Sequence, residues 1–211
     1  MRHILIGIAL TFVLGVSAQT FNEVADGQVD VGKTMMMNKS CTVTVQSFAL
    51  SDPISISQYQ AYMDYFLAIS DSNTFALGHV DIRTLVLNGE SPKTYVSWTS
   101  ALAYCDWLAG RPENRGWRFR LPLLSEWILA REAGVIGEPG VRIWLMNAKD
   151  ESLLNCEDFD SLYDTKPGDP FALRRKMAVH DSDTYSIFGT GENYWQDMSY
   201  PNVGFCVVRY Q

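Results

Sequence analysis

The chain is poor in the residues that define several common functional classes. Its 211 residues include only four cysteines and three histidines, and 17 lysines and arginines are outnumbered by 24 aspartates and glutamates, for a net charge of −7. Non-specific affinity for nucleic acid comes from clustered Lys and Arg. The one basic cluster, Arg174-Arg175-Lys176, is short. The composition therefore argues against a nucleic-acid partner.

Cysteine spacing gives no sign of a zinc site. The chain has no Cys-x-x-Cys pair and no histidine near a cysteine in ligand spacing, whereas zinc sites depend on such clusters. An even number of cysteines in an oxidising compartment permits disulfides, but the sequence leaves their connectivity open. The four are Cys41, Cys105, Cys156 and Cys206.

Long hydrophobic runs are also scarce, and the one that exists lies at the N-terminus. Arg2 and His3 precede an apolar run from Ile4 to Val16, and Ser17-Ala18 completes a cleavage pattern. This pattern predicts a secretory signal peptide over residues 1–18. No cysteine follows the run to suggest a lipoprotein, and no later run approaches the ~18 apolar residues of a membrane span. We expect an exported, soluble protein, periplasmic or secreted.

Local signals predict three helices. Ser55 and Gln58 form a capping-box pattern before the first, Ser97 caps the second, and Gly134 suits the end of the third. Apolar residues three and four apart predict that one face of the first helix is buried, namely Tyr59, Tyr62, Met63, Phe66 and Leu67. The predicted helices run from Ser57 to Ile69, Trp98 to Leu108 and Leu124 to Glu132.

Strand signals are shorter and weaker. They predict two strands joined by a turn within Asn22–Gly32, a strand over Cys41–Leu50 and a short one over Leu85–Leu87. Two more strands are predicted over Arg142–Met146 and Val203–Arg209. With no repeats or linkers, the chain beyond the signal, residues 19–211, is interpreted as one α+β domain with much irregular loop.

Five segments in a fixed order match the motifs of one family. Residues 24–32 resemble V-P-G-G-x-F-x-M-G, residues 47–59 resemble F-x-I-x-x-x-E-V-T-N-x-Q-Y, residues 95–108 resemble V-S-W-x-x-A-x-A-Y-C-x-W-L, residues 120–131 resemble R-L-P-T-E-A-E-W-E-x-A-A-R, and residues 203–209 resemble G-F-R-x-V-R. The chain thus resembles the formylglycine-generating enzyme (sulfatase-modifying factor) family. The resemblance implies a C-type-lectin-like fold with short twisted antiparallel strands.

Most motif residues suit a structural role better than a catalytic one. Large apolar rings on helices usually belong to the core, and Arg–Glu pairs are candidates for buried ion pairs that hold a loop-rich fold together. The residues predicted to be structural are Trp98, Trp107, Arg120, Glu126, Trp127, Arg131, Gly204 and Phe205.

The main departure from the family concerns two copper-binding cysteines. In catalytic members they lie between an R-G-G-S-W-like strand and the terminal G-F-R strand, and thiolates are the ligands that hold Cu(I). The matching stretch here, Leu173 to Tyr200, contains no cysteine. Cys206 takes the usual arginine position of the closing strand, where a buried thiol or a disulfide is expected. If a disulfide forms, we favour one at Cys206. The resemblance therefore implies a pseudoenzyme.

Neither calcium nor copper has a supported site, so no cofactor is predicted. Only six residues separate Gly134 from Val141, where relatives carry loops that bind calcium. The acidic run from Glu157 to Asp160 lacks the ordered alternation of a calcium loop. His180-Asp181-Ser182-Asp183 is interpreted as a polar surface turn rather than as a metal or acid–base site.

The leading hypothesis is a non-catalytic module that binds a protein or glycan, or forms part of an envelope assembly, through the loops before its last strand. Aromatic rings with polar tips suit such surfaces. An oxidoreductase of the same family with a non-standard metal site is the alternative, and a purely structural secreted protein is a third. The oligomeric state stays open. The candidate ligand residues are His180, Asp183, Tyr185, Asn193, Tyr194, Trp195 and Asp197.

Overall fold

A computed structural model describes residues 19–30, 42–69, 89–136, 140–148, 176–179 and 198–211. Among these residues, no helix has the length and apolarity needed to cross a bilayer. The strands are β1 (Phe21–Val24), β2 (Gly27–Asp30), β3 (Thr42–Val45), β4 (Phe48–Ser51), β5 (Arg118–Arg120), β6 (Arg142–Ala148), β7 (Lys176–Val179), β8 (Val203–Gly204) and β9 (Val208–Tyr210); the helices are α1 (Ile56–Ile69), α2 (Trp98–Gly110) and α3 (Leu124–Glu132).

The fold is of the predicted α+β class, with small and mostly antiparallel sheets. The strand order is β1-β4-β9-β5 in the first sheet, β2-β3 in the second and β7-β6-β8 in the third. All pairs are antiparallel except β6 with β8. The edge strand β5 is only three residues long, so its Arg-Phe-Arg alternation is too short to predict a strand.

The first two strands do not form the expected hairpin with each other. β1 pairs with β4 and β2 pairs with β3, so residues 21–30 and 42–51 are the two arms of one antiparallel ribbon. Two residues break each arm at the same level, Ala25-Asp26 in one and Gln46-Ser47 in the other. These breaks let the ribbon contribute to two sheets while Val24, Val29 and Val45 all remain buried.

The capping box predicted before α1 is confirmed. The Ser55 backbone N–H donates to Gln58 Oε1 at 2.9 Å, and the Gln58 N–H donates back to Ser55 Oγ at 3.3 Å. Two amide donors that the first turn leaves without helical partners are satisfied in this way.

The start of α2 and the end of α3 are those that their flanking residues predict, whereas α2 continues two residues beyond the predicted Leu108, to Gly110. Ser97 Oγ accepts the Ser100 N–H at 3.1 Å at the start of α2. At the end of α3, Gly134 adopts a φ of +66° while its N–H donates to Arg131 O, and Val135 N–H donates to Ala130 O. This double closure is a Schellman motif, which favours glycine at the left-handed position.

The predicted closing strand is split between two sheets. Val203–Gly204 pairs in parallel with β6, whereas Val208–Tyr210 pairs with both β4 and β5. The buried residues between them cross from one sheet to the other. Their backbone is held by Ser51, whose N–H donates to Val207 O and whose Oγ accepts the Val207 N–H, each at 2.9 Å.

Two apolar clusters flank this crossing segment. The first lies between the ribbon and α3 and includes Leu50, Trp127, Leu145 and Cys206. The second lies against α1 and α2 and includes Tyr62, Tyr104, Trp144 and Phe205. Because successive residues of one strand point to opposite sides, Phe205 and Cys206 enter different clusters.

Gly204 lies where another main chain passes close by. A Cβ built on Gly204 would lie 2.8 Å from Lys93 O and 3.3 Å from Val141 Cγ2. The nearer atom belongs to the backbone and cannot rotate away, so we expect Gly204→Ala to cost about 1–3 kcal/mol of the free energy of unfolding. Urea unfolding would measure it. Gly110→Ala is the control, since its Cβ meets nothing within 4 Å; equal stability of the two variants would contradict the prediction.

The preference for a disulfide at Cys206 is wrong. Cys105 and Cys206 are both buried thiols, and they lie in different apolar clusters. Apolar surroundings make both of them small core residues. Cys41 and Cys156 lie outside the described residues, as does the predicted strand at Leu85–Leu87.

Candidate functional site

The ligand residues predicted from sequence lie outside the described part of the chain. They are His180, Asp183, Tyr185, Asn193, Tyr194, Trp195 and Asp197. The structure does describe the strands that anchor this segment at both ends. Val179, the last residue of β7, pairs with Ile143, and Val203, the first of β8, pairs with Arg142. The chain thus leaves and re-enters the sheet on either side of β6, at one end, about 10 Å apart.

The returning end of that segment is fixed to the core. The Tyr200 ring packs edge-on against Trp144 at 6.0 Å between centroids, and Tyr200 O accepts the Tyr95 N–H at 3.0 Å. Tyr95 has a φ of +53°, a left-handed conformation that costs energy for a residue other than glycine. The end of the predicted binding loop is therefore positioned by a buried indole and a constrained turn.

Arg120 and Glu126 form the ion pair that the sequence suggested. Two hydrogen bonds of 2.6 Å join the guanidinium to the two carboxylate oxygens, and Glu126 Oε2 also accepts the Leu123 N–H at 2.8 Å. Leu123 at the N-cap has no side-chain acceptor, so the Glu126 carboxylate serves as the cap of α3. This arrangement holds the segment before α3 in place, so Arg120 and Glu126 have a structural role.

The other residues predicted to be structural occupy different depths. Trp127 and Phe205 are fully buried, and Arg131 is half-buried in the last turn of α3. Trp98 is half-buried and donates from Nε1 to Leu145 O at 2.8 Å. Trp107, predicted to be a core residue, is also only half-buried and forms one wall of a surface groove.

The groove lies between α1 and α2 and has a volume of about 810 Å³. We call it the α1–α2 groove. Three aromatic residues line it, Tyr65, Phe66 and Trp107, together with the small residues Ala61, Ala103 and Gly110. Tyr65 is 49 % exposed and Phe66 is 36 % exposed. The expectation that the whole apolar face of α1 is buried is therefore wrong at its C-terminal end, because the small residues of α2 leave space there.

Charged side chains stand at the rim of the α1–α2 groove. Arg111 places its guanidinium carbon 4.9 Å from the Trp107 ring centroid and forms an ion pair with Glu113. A hydrogen bond with its own backbone N–H, and after it Arg111, lower the pKa of Glu113. Asp106 is exposed, and in the described part of the chain it has no hydrogen bond or ion pair. Two carboxylates thus face one guanidinium.

Behind the groove, aromatic rings continue without interruption into the core. Tyr62 contacts Phe66, Trp107 and Tyr104, with centroids 4.8, 5.6 and 5.5 Å away, and Tyr104 contacts Phe205 at 5.3 Å. Burial, and then the Asp106 carboxylate, raise the pKa of Tyr62 to about 12. Burial likewise raises the pKa of Tyr59 and Tyr104. These phenols stay neutral at physiological pH and give the groove a rigid base.

The Cys105 thiol is poorly suited to bind a metal. Burial, followed by the charge of Asp106, raises the pKa of Cys105 far above its usual value, and a metal ligand must be the thiolate. Within the described ranges, no three His, Cys, Asp or Glu side chains are grouped as metal ligands would be.

The α1–α2 groove was missed by sequence reasoning, although one signal pointed to it. Tyr65, Phe66 and Leu67 are three consecutive large apolar residues, and one face of a helix cannot bury three in a row. The acidic and basic rim residues come from α2 and the turn after it. Their position beside Tyr65 depends on how the two helices pack, which no local pattern reveals.

Comparison with known proteins gives the fold and the family. Two solved structures are similar over nearly their whole length. The crystal structure of CarF matches with a TM-score of 0.54 and 15 % identity, and the match covers 92 % of this chain and 98 % of that chain. Treponema denticola variable protein 1 matches with a TM-score of 0.52 and 13 % identity, and the match covers 90 % of this chain and 94 % of that chain. A search of curated proteins found no match. Residues 16–162 match the sulfatase-modifying factor enzyme 1-like domain. The chain therefore belongs to the sulfatase-modifying factor enzyme 1-like domain family.

Proposed function

We propose that this protein is an exported, non-catalytic binding module of its family. It recognises a protein or glycan ligand outside the cytoplasm, as a separate module or as part of an envelope assembly, through the loops before its last strand. The observation that carries the proposal is the double anchoring of residues 180–202 on either side of β6. Segments held at both ends by a rigid scaffold commonly carry function, and the sequence between β7 and β8 contains Tyr185, Tyr194 and Trp195.

The roles of the hallmark residues support a binding function over oxygen chemistry. Arg120, Glu126 and Trp127 are engaged in the ion pair, the helix cap and the apolar core. The segment where catalytic relatives carry their copper ligands has no cysteine. If the protein were an oxidase, copper-loaded, reduced protein would consume oxygen with a thiol substrate. We expect no turnover, and sustained turnover would overturn the proposal.

Affinity capture with matched variants tests the proposed surface. Protein beginning at Gln19 is used as bait on envelope and secreted fractions and on a glycan array. A central aromatic anchor is worth ~2 kcal/mol or more, which is a loss of roughly 30-fold on truncation. We therefore expect Trp195→Ala and Tyr194→Ala to lose the captured ligand. Glu132→Gln changes an exposed side chain of α3, outside both residues 180–202 and the α1–α2 groove, and should retain it. Capture unaffected by both loop variants would disprove this surface.

A further inference from the structure

The α1–α2 groove carries an electrostatic preference as well as an apolar surface. The Trp107 ring face is turned toward the Arg111 guanidinium, and the face of an aromatic ring is the negative end of its quadrupole. Two carboxylates, Asp106 and Glu113, stand at the rim against a single guanidinium, Arg111. The groove therefore favours an apolar body that carries positive charge.

Arg111 shows what kind of group the groove accepts. Its guanidinium lies over the Trp107 ring, 4.9 Å from the centroid, and is held by Glu113. This arrangement of an aromatic face and a carboxylate around one cation occurs at one end of the groove. Elsewhere in the groove, Phe66 and Tyr65 supply aromatic rings and Asp106 supplies a carboxylate. In the described part of the chain, no internal cation joins them.

Tyr65 and Phe66, the aromatic residues of the groove that hold no cation among the described residues, are also exposed apolar side chains. Tyr65 and Leu67 are each 49 % exposed and Phe66 is 36 % exposed, and together they are most of the large exposed hydrophobic side chains among the described residues. A groove of about 810 Å³ lies in the range that accommodates several side chains at once.

We propose that the α1–α2 groove binds a basic, apolar peptide segment of a partner protein. An arginine or lysine of that segment lies against Phe66 and Tyr65 and pairs with Asp106, while flanking aliphatic side chains cover the small lining residues Ala61 and Ala103. Cation–π contact strengthens when the cation is partly desolvated, so the aliphatic flanks and the charge are needed together. The groove is built from α1, α2 and the turn after α2, and its binding does not depend on residues 180–202.

Fluorescence anisotropy with a defined probe tests this inference. The probe is a fluorescein-labelled hexapeptide, Ser-Leu-Arg-Leu-Arg-Ser, and its companions replace both arginines by glutamine, both arginines by glutamate, or both leucines by serine. We expect the Leu-Arg probe to bind the wild-type protein at least about tenfold more tightly than any companion. Raising salt from about 0.05 M to about 0.5 M should weaken it severalfold.

Matched variants locate the binding. Asp106→Asn is expected to weaken the probe about 3- to 10-fold, and Phe66→Ser by a similar factor. Glu132→Gln removes an exposed carboxylate from α3, and Met198→Ser removes an exposed apolar side chain away from the groove; both should bind like wild type. All four positions are at the surface, and melting temperatures would verify folding. Trp195→Ala should also bind the probe normally.

Several results would overturn the proposal. Equal affinity of the wild-type protein for the arginine and glutamine peptides would remove the charge preference, and this comparison needs no variant. Equal weakening by Asp106→Asn and Glu132→Gln would show non-specific attraction to an acidic protein. Binding of a neutral oligosaccharide that competes with the probe without dependence on Asp106 would make the groove a glycan site instead.

Discussion

Replacing Glu126 by alanine is expected to lower the free energy of unfolding by about 3–5 kcal/mol. The Glu126 side chain is 6 % exposed and that of Arg120 is 15 % exposed. The variant removes the carboxylate that accepts two hydrogen bonds from the Arg120 guanidinium, at 2.6 Å each. It also leaves the Leu123 N–H at the start of α3 without its acceptor. Urea unfolding followed by far-UV circular dichroism would measure the loss.

Two comparisons separate the buried charge from other effects of that substitution. Glu126→Gln keeps the shape and an acceptor for Leu123, so it should cost less than Glu126→Ala. Exposed ion pairs contribute little to stability, and Glu113 is 55 % exposed in its pair with Arg111; Glu113→Ala should therefore leave the unfolding midpoint nearly unchanged. Similar midpoints for Glu113→Ala and Glu126→Ala would show that burial of the Arg120 pair contributes nothing.

The helices could be predicted from sequence because their signals are local. The Ser55–Gln58 capping box, the Ser97 cap and the left-handed Gly134 each lie within a few residues of the boundary that they set. Such signals depend on hydrogen bonds between near neighbours. The observed bounds of α3 are those predicted, and α1 begins one residue earlier, at Ile56.

The strand pairing could not be predicted in the same way, because it joins residues far apart in the chain. Nothing near Asn22 shows that its partner is Leu50, and nothing near Val208 shows that it pairs with both β4 and β5. The closing segment keeps one continuous apolar pattern although it belongs to two sheets, since its successive residues Phe205 and Cys206 are buried in different apolar clusters.

The family motifs gave the fold correctly but located function only indirectly. They identified Arg120, Glu126 and Gly204, all of which hold the scaffold. The α1–α2 groove combines Phe66 with Asp106, residues that no motif links. A surface formed by the packing of two helices becomes visible only in three dimensions, and this one results from small residues facing large ones.

Trp144 should be the more sensitive of two fully buried tryptophans. Its indole Nε1 donates to Val96 O at 2.8 Å, whereas Trp127 Nε1 is buried without a hydrogen-bond partner. Trp144→Ala is expected to cost about 3–5 kcal/mol, because it opens a cavity beside Tyr200 in the second apolar cluster. Substitution of Trp144 by phenylalanine keeps most of the apolar contact, so its effect on stability measures the contribution of the hydrogen bond.

Trp144→Phe leaves the carbonyl of Val96 buried without its donor, and an unsatisfied buried polar group costs about 1–3 kcal/mol. Trp127→Phe instead removes an N–H that already lacks an acceptor. No buried polar group loses its partner, so only the smaller ring volume lowers the free energy of unfolding. We therefore expect Trp144→Phe to unfold at a distinctly lower urea concentration than Trp127→Phe. The opposite order would mean that Trp127 Nε1 is satisfied in solution, for example by a buried water, which such indoles acquire when a small polar cavity is present.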